Sequence, residues 1–183
     1  MISTSRRSMV AATFLFLMAF SGLALTPQRR AHAAQEQVDF QFRSIDGQAI
    51  GASEVRGQVV VLAIGASWLP LSRKQAQNIR KLANEYGKRG VVVYWVSTDS
   101  ESPKSKNYAS DEQLRAFSRR HDMNITILRD PDAGIVKQMG VSALPAVVIL
   151  DKQGRVFRSP ITGLDPEGEL SKQLAEPLEE LLK

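Results

Sequence analysis

The stretch Trp68-Leu69-Pro70-Leu71-Ser72-Arg73-Lys74 joins two segments of different character and decides how the chain folds. Before it, residues 59–65 form the apolar run Val-Val-Val-Leu-Ala-Ile-Gly, which is typical of a buried strand. From Arg73 to Tyr86, apolar residues recur at helical spacing, at Ala76, Ile79, Leu82 and Ala83. In α/β proteins a strand that leads directly into a helix faces a crevice, where binding and catalytic groups collect.

The flanking segments continue this alternation of strands and helices. Upstream, the alternating residues 38–42 and the turn signal Asp46-Gly47 predict a β-hairpin ahead of the core. Downstream, the apolar residues 91–96 predict a second strand, parallel to the first and packed on both faces, with Trp95 in the core and Tyr94 in a second layer. Residues 98–109 are polar and predict an exposed loop.

The second half adds two more helices and the last strands. Ser110-Asp111-Glu112-Gln113 is a capping box that starts a helix running to about Arg120. A short strand over residues 124–128 and a helix over residues 133–139 follow, and Asp130 and Asp132 are interpreted as helix caps rather than metal ligands.

The chain then returns as a hairpin and ends in a helix. A strand over residues 147–150 turns back into Val156-Phe157-Arg158, which Pro160 marks as a sheet edge. Asp165-Pro166-Glu167 opens the final helix, which Pro177 kinks or splits.

Several of these motifs together resemble one family. The Trp68-x-Pro70 turn resembles the active-site turn of thioredoxin-like proteins, and further shared features are Asp130-Pro131-Asp132, Leu144-Pro145 and Leu150-Asp151-x-x-Gly154. In this order they are similar to the TlpA/ResA and AhpC/TSA (redoxin) branch of the thioredoxin-like superfamily. The resemblance implies an α/β thioredoxin-like fold, a central mixed β-sheet with helices on both faces and an N-terminal β-hairpin extension. It also implies that Pro145 is cis and packs beside the turn.

The chemistry of that family is missing. Its turn reads Trp-Cys-x-x-Cys, and this chain has Leu69 and Ser72 at those positions and no cysteine anywhere. Thiol-disulfide exchange, peroxidase chemistry and thiolate metal ligation therefore have no nucleophile or ligand. The family resemblance alone would assign a thiol-disulfide oxidoreductase or an AhpC/TSA peroxiredoxin in cell redox homeostasis, which is the alternative function.

The remaining polar groups do not replace the thiols. Ser72 is interpreted as the N-cap of its helix rather than a nucleophile, because a serine nucleophile needs a base in reach. His121, which is the one histidine after the leader, is expected to be solvated at a helix C-terminus. We therefore expect no catalytic residue, no metal ligand and no cofactor in this chain.

Binding is the function that these residues still allow. The resemblance implies that the backbone before Pro145 pairs with an extended segment of another protein, by strand addition that needs no thiol. The predicted surface consists of the degenerate turn Trp68, Leu69, Pro70, Leu71 and Ser72, together with Ala143, Leu144 and Pro145. The family resemblance further implies that such a module would be an accessory to redox or cytochrome maturation factors. Inward packing of the leucines, a decayed site, and a scaffold that joins its partner at the edge Val156–Arg158 remain open alternatives.

Residues 1–34 have the pattern of an export signal. Arg6-Arg7 precedes an apolar region from Met9 to Leu25, and Ala31-His32-Ala33 is a small-x-small cleavage site. Both a general secretory and a twin-arginine signal fit, so we predict a periplasmic or otherwise extracytoplasmic protein with one domain over residues 35–183. We expect the domain to be attached to the membrane only if the signal peptide is not cleaved.

The positive net charge comes mostly from that leader. The chain has 24 basic and 19 acidic residues, and without the four leader arginines 20 basic residues remain. Because no basic face with interleaved aromatic residues is apparent, we expect no nucleic-acid binding.

Overall fold

The computed structural model describes residues 38–165 and 167–183. The predicted leader over residues 1–34 lies outside them, so its cleavage site, the export route and the domain boundary stay predictions. Within the described part of the chain, every helix is too short or too polar to traverse a lipid bilayer.

Seven strands of the described residues form one mixed sheet. The strands are β1 Gln41–Ser44, β2 Ala49–Gly51, β3 Val59–Gly65, β4 Val91–Ser97, β5 Ile127–Arg129, β6 Ala146–Leu150 and β7 Ile161–Thr162. Their order in the sheet is β2-β1-β5-β4-β3-β6-β7. The central strands β3, β4 and β5 are parallel, whereas β6 and β7 at one side and β1 and β2 at the other are antiparallel to their neighbours.

Helices cover both faces of the sheet, as predicted. The helices are α1 Pro70–Gly87, α2 Asp111–His121, α3 Gly134–Gln138, α4 Leu170–Gln173 and α5 Ala175–Leu181. Residues of α1, α2, α4 and α5 share one apolar core, and α3 contributes to a second core on the opposite face. The α/β fold with a mixed sheet is therefore confirmed.

The continuous apolar run of β3 is explained by these two cores. Val59, Val61 and Ala63 pack into the first core, and the alternate residues of β3 pack into the second. A strand covered on both faces has no solvent side, so alternation of polar and apolar residues is lost. On the neighbouring strand Trp95 is fully buried in the first core and Tyr94 is half-buried against the second, as predicted.

The capping box is confirmed at the start of α2. The Ser110 hydroxyl accepts a hydrogen bond from the Gln113 backbone N–H at 3.2 Å, and the Gln113 side chain accepts one from the Ser110 N–H at 2.8 Å. The adjoining loop prediction is partly wrong, because Asp99 and Ala109 are buried rather than exposed.

The C-terminal predictions need two corrections. The predicted return segment pairs only in part, through a bridge between Val156 and Leu150 and a hydrogen bond from the Phe157 N–H to the Ile149 carbonyl at 2.7 Å. The pairing with β6 continues in β7, which begins after Pro160. Proline removes one donor, so it interrupts the ladder without ending the pairing of the segment. The final helix begins at Leu170 and not at Asp165, whose carboxylate instead accepts a hydrogen bond from the Glu167 N–H at 3.0 Å. Pro166, predicted at the first helical position, lies outside the described residues.

The final helix is split, as predicted from Pro177. It divides at Leu174 into α4 and α5, and Pro177 occupies the first turn of α5, where its missing N–H costs no intrahelical bond.

Candidate functional site

The turn after β3 starts its helix earlier than the sequence pattern indicated. Leu69 is the N-cap of α1 and Pro70 is the first helical residue, where its fixed φ suits a helix start. Ser72 therefore lies inside the first turn of α1, and its prediction as the N-cap is wrong. The Leu69 side chain makes no cap hydrogen bond, and the first turn of α1 contains no acidic residue.

Ser72 is fully buried and serves the turn structurally. Its Oγ accepts a hydrogen bond from the Ala66 backbone N–H at 3.2 Å. Among the described residues, this bond to the turn is the hydrogen bond that the Ser72 side chain makes.

His121 lies at a helix C-terminus, as predicted, but it is half-buried rather than fully solvated. Its ring is half-buried and packs on Phe117 with ring centroids 4.5 Å apart, and its Nε2 has no hydrogen-bond partner among the described residues. Burial lowers the pKa of His121, and the charges of Arg120 and Arg73 lower it further. The imidazole therefore acts as a packing group on Phe117 at the end of α2.

The buried Asp99 carboxylate anchors the turn between β3 and α1 by hydrogen bonds. Asp99 is 1% exposed and lies two residues after β4. Its carboxylate accepts hydrogen bonds from the Ser67 N–H at 2.9 Å, from the Ser67 hydroxyl at 2.8 Å and from the Ser97 hydroxyl at 2.7 Å. The segment between β3 and α1 is thus anchored to the end of the neighbouring strand.

Arg129, at the end of β5, extends this hydrogen-bond network. Its side chain is 1% exposed and donates to the Ala109 carbonyl at 2.9 Å and to the Asp99 carbonyl at 3.4 Å. Glu101 lies 3.3 Å from its Nε and also pairs with Arg43. Arg43 in turn binds Asp111, and these hydrogen bonds hold the pKa of the Asp111 carboxyl below its ordinary value.

The upper surface of the turn is apolar and accessible. Trp68 and Leu71 are each 47% exposed, and Leu69 is half-buried. The Trp68 carbonyl accepts a hydrogen bond from Arg73 Nη2 at 2.7 Å, which ties the turn to the first turn of α1. The alternative of inward packing is therefore wrong for Leu71, whereas Leu69 is partly buried.

The second part of the predicted surface lies beside the turn. The Leu144–Pro145 peptide bond is cis, as the resemblance implied, and Ala143 is exposed while Leu144 and Pro145 are half-buried. Within the described residues, the backbone N–H and C=O groups of residues 142–144 take part in no backbone hydrogen bond. This segment, which we call the proline loop, thus offers unpaired backbone next to an apolar surface.

Two grooves flank the proline loop. One, of about 260 Å³, lies between α1, the proline loop and residues 162–165. The other, of about 390 Å³, lies on the opposite side, and Trp68, Leu69, Val136 and Leu144 contribute to it. The structure therefore brings the predicted residues of the turn and of the proline loop together, with space for side chains on either side. Binding of a protein segment at this surface stays a prediction.

Of the two acidic residues predicted as helix caps near α3, Asp130 is a cap, and the prediction is wrong for Asp132. The Asp130 carboxylate accepts hydrogen bonds from the Val136 N–H at 2.9 Å and from the Ile135 N–H at 3.4 Å. The Asp132 side chain caps nothing in the described part of the chain, where only its carbonyl accepts, from Lys137 at 3.4 Å. Among residues 38–165 and 167–183, no three histidine or acidic side chains are grouped so as to hold a metal ion.

Sequence reasoning missed Asp99 and Gln75, which is 7% exposed and lines the first groove. A signal for Asp99 was present, because Ser97-Thr98-Asp99 directly follows the strand predicted beside β3. The carboxyl ends of parallel strands meet at one edge of a sheet. Gln75 gave no such signal, because a polar residue within a helix is ordinarily expected to be exposed.

The comparisons with known proteins agree with this architecture. The family model described as the AhpC/TSA family matches residues 33–159. The thiol-disulfide oxidoreductase ResA of Halalkalibacterium halodurans is 21% identical over 153 residues, which are 84% of this chain and 78% of that protein. The thiol:disulfide interchange protein DsbE of Allochromatium vinosum is 25% identical over 174 residues, which are 91% of this chain and 90% of that protein.

A solved structure shows the same fold. The crystal structure of a putative thiol:disulfide interchange protein DsbE from Chlorobium tepidum superposes with a TM-score of 0.63 at 21% identity, and the match covers 81% of this chain and 97% of that one. The relatives are named for thiol-disulfide chemistry, and this chain contains no cysteine.

Proposed function

Because the chain belongs to the AhpC/TSA family of thioredoxin-like proteins, we propose that it is a non-catalytic member that binds an extended segment of another protein. The observation that carries this proposal is the exposure of Trp68 and Leu71 beside the unpaired backbone of the proline loop. An apolar surface next to free N–H and C=O groups suits an added strand.

Thiol-based redox catalysis by this chain alone is excluded by its composition. Thiol-disulfide exchange transfers electrons between sulfur atoms, and no position of the 183-residue sequence supplies a thiol. Ser72 cannot substitute, since its hydroxyl is buried and bonded to the turn. The family's scaffold is therefore used here without the family's nucleophile.

Strand addition accounts for the remaining features. A segment laid along residues 142–144 would pair its backbone with the proline loop and place its side chains in the flanking grooves. Leu69, at the position of a family cysteine, enlarges the apolar contact area that such a segment would cover.

The leader pattern and the names of the relatives support a setting for this binding. Residues 1–34 resemble an export signal, and ResA and DsbE are named for thiol-disulfide chemistry. We propose that the protein acts outside the cytoplasm as an accessory to redox or cytochrome maturation proteins.

Site-specific photo-crosslinking in cells tests the proposal. A photoreactive residue at Leu69 should capture a discrete partner, and the same probe at Lys106, exposed on the loop after β4, should not. The Leu71→Asp substitution should abolish the Leu69 crosslink, whereas Gln77→Asp on the exposed face of the same helix should leave it intact. Identical bands from both probes, or a Leu69 band that survives Leu71→Asp, would refute the binding role of this surface.

A further inference from the structure

The two grooves beside the proline loop carry opposite charges. Among the described residues, Asp165 is the one charged residue that lines the groove of about 260 Å³ between α1, the proline loop and residues 162–165. Lys137 is the one charged residue among those that line the groove on the other side. We call the first the acidic groove and the second the basic groove. Asp165 and Lys137 are both exposed, so a bound segment can reach either one.

Asp165 lacks the basic partner that the neighbouring acids have. Glu167 pairs with Lys74, and Glu169 pairs with Lys81. Within the described part of the chain Asp165 takes part in no ion pair, and its carboxylate accepts one hydrogen bond, from the Glu167 N–H at 3.0 Å. One carboxylate oxygen therefore remains open to water or to a bound donor.

The other polar residues of the acidic groove are either engaged already or add acceptors. Both ends of the Gln173 amide bond to the Asp165 backbone, as Oε1 accepts from its N–H at 2.7 Å and Nε2 donates to its carbonyl at 3.0 Å. Asn78 Nδ2 donates to the Lys74 carbonyl at 3.4 Å, which leaves the amide oxygen without a partner among the described residues. The exposed Thr162 adds a hydroxyl, which can accept as well as donate. The groove thus offers more acceptors than donors.

The apolar part of the acidic groove suits the stem of a long side chain. Leu71 and Ala143 are exposed at its rim, and Leu144 and Leu164 are half-buried along it. A lysine or arginine side chain packs its methylene stem on such a surface while its charged head stays at the polar end. That head contains donors and no acceptor, so it matches the excess of acceptors in this groove.

We propose that the segment bound at the proline loop directs a basic side chain into the acidic groove, where its head group pairs with Asp165. This inference rests on the proposed function and specifies the class of segment that the site selects. An acidic side chain would be repelled at the same place, and an apolar one would leave the carboxylate to water.

The opposite charges also determine the register of such a segment. Residues of α1 and Leu170, from the first core, line the acidic groove, and Val136, from the second core, lines the basic groove. The two grooves thus lie toward opposite faces of the sheet, and successive residues of a paired strand point to opposite faces as well. Lys137 takes part in no ion pair within the described residues, so a basic side chain in the basic groove would meet a like charge. The register that places this side chain beside Asp165 is therefore favoured.

Binding of two matched peptides tests the inference. The probes are acetylated and amidated heptapeptides of alternating threonine and valine whose central residue is arginine in one and citrulline in the other. Citrulline has the same length as arginine and a neutral urea in place of the guanidinium, so the pair isolates the charge. Binding is followed by the chemical shifts of the Leu71 and Leu164 methyl groups. At about 20 mM salt we expect the arginine peptide to bind about two- to fivefold more tightly, as for a partly exposed ion pair, and at about 0.5 M salt the preference should shrink.

Two variants assign that preference to one carboxylate. Asp165→Asn removes the charge, retains an acceptor for the Glu167 N–H, and should erase the preference while citrulline-peptide binding is kept. Asp132→Asn makes the same change at an exposed residue next to Lys137 and should keep the preference. Equal binding of both peptides by the native protein at low salt, or a preference that persists in Asp165→Asn, would overturn the inference.

The outcomes for the two proposals are separable. A crosslink at Leu69 that both peptides displace equally would retain the binding function and remove the assignment of a basic side chain. Absence of the crosslink together with absence of peptide binding would remove both.

Discussion

The Asp99 carboxylate accepts two hydrogen bonds from Ser67, one from the backbone N–H at 2.9 Å and one from the hydroxyl at 2.8 Å. Asp99 follows β4, and Ser67 precedes the exposed Trp68, so this pair joins the end of one strand to the turn that carries the proposed binding surface. The geometry of Trp68 and Leu71 therefore depends on a carboxylate that is itself 1% exposed.

We expect Asp99→Ala to destabilise the protein by about 2–4 kcal/mol, because the Ser67 N–H and the Ser97 hydroxyl lose their buried acceptor. Ser67→Ala removes one hydroxyl bond and should cost about 1 kcal/mol. Urea unfolding of both variants measures the difference. A smaller loss for Asp99→Ala than for Ser67→Ala would contradict the anchoring role.

Gly65 should not tolerate even a methyl group. A Cβ there would lie 2.7 Å from Ser72 Oγ and 2.7 Å from the Trp95 ring, both of which are buried. Gly65→Ala should therefore lower the free energy of unfolding by about 1–3 kcal/mol. Gly134→Ala is the matched control, since a Cβ at Gly134 meets nothing within 4 Å. Similar unfolding midpoints for the two variants would show that the packing around Gly65 is loose.

The lowered pKa of His121 makes stability depend on pH. Burial first, then Arg120 and Arg73, lower the pKa of the folded state below 6.5, so the unfolded chain binds the proton more readily. The free energy of unfolding should fall as the pH decreases from 6.5 towards the folded-state pKa and then level off.

His121→Leu should remove this part of the pH dependence. Because His32 is present in both proteins, the difference between their stability profiles isolates His121. Chemical denaturation at several pH values between 5 and 8 measures it. Parallel profiles for the native protein and the variant would contradict the assignment.

A cysteine introduced at Leu69 should be an unusually acidic thiol. The Leu69 side chain makes no cap hydrogen bond at the α1 N-terminus and the first turn contains no acid, so the N–H groups there would stabilise a thiolate at the N-cap. We expect Leu69→Cys to have a pKa about 1 unit or more below that of Gln77→Cys, on the exposed face of the same helix.

The absence of native cysteines makes this measurement direct, since each variant has a single thiol whose alkylation rate can be followed against pH. Leu69→Cys combined with Ser72→Cys should then form a disulfide and gain insulin reduction. An ordinary pKa at Leu69→Cys would mean that the turn no longer favours a thiolate.

The local sequence determined much of this protein. The apolar run of β3, the capping box at Ser110 and the helical spacing within α1 each depend on neighbouring residues, and each was predicted correctly in kind. The lack of cysteine excluded thiol chemistry without any structure. Boundaries were less accurate at Ser72, because Pro70 starts α1 ahead of it, and at Asp165, because a residue type that caps helices also forms turns.

The tertiary structure decided what no local pattern contains. Asp99 looked like a loop residue and is buried because β3 and β4 end side by side, and β7 pairs with β6 in addition to the predicted segment, of which Val156 bridges Leu150. Gln75 looks like any polar helix residue, and only the packing of α1 against the proline loop leaves its acceptor buried without a donor. Burial and hydrogen-bond satisfaction arise from contacts between distant parts of the chain, so they appear only when the elements are assembled.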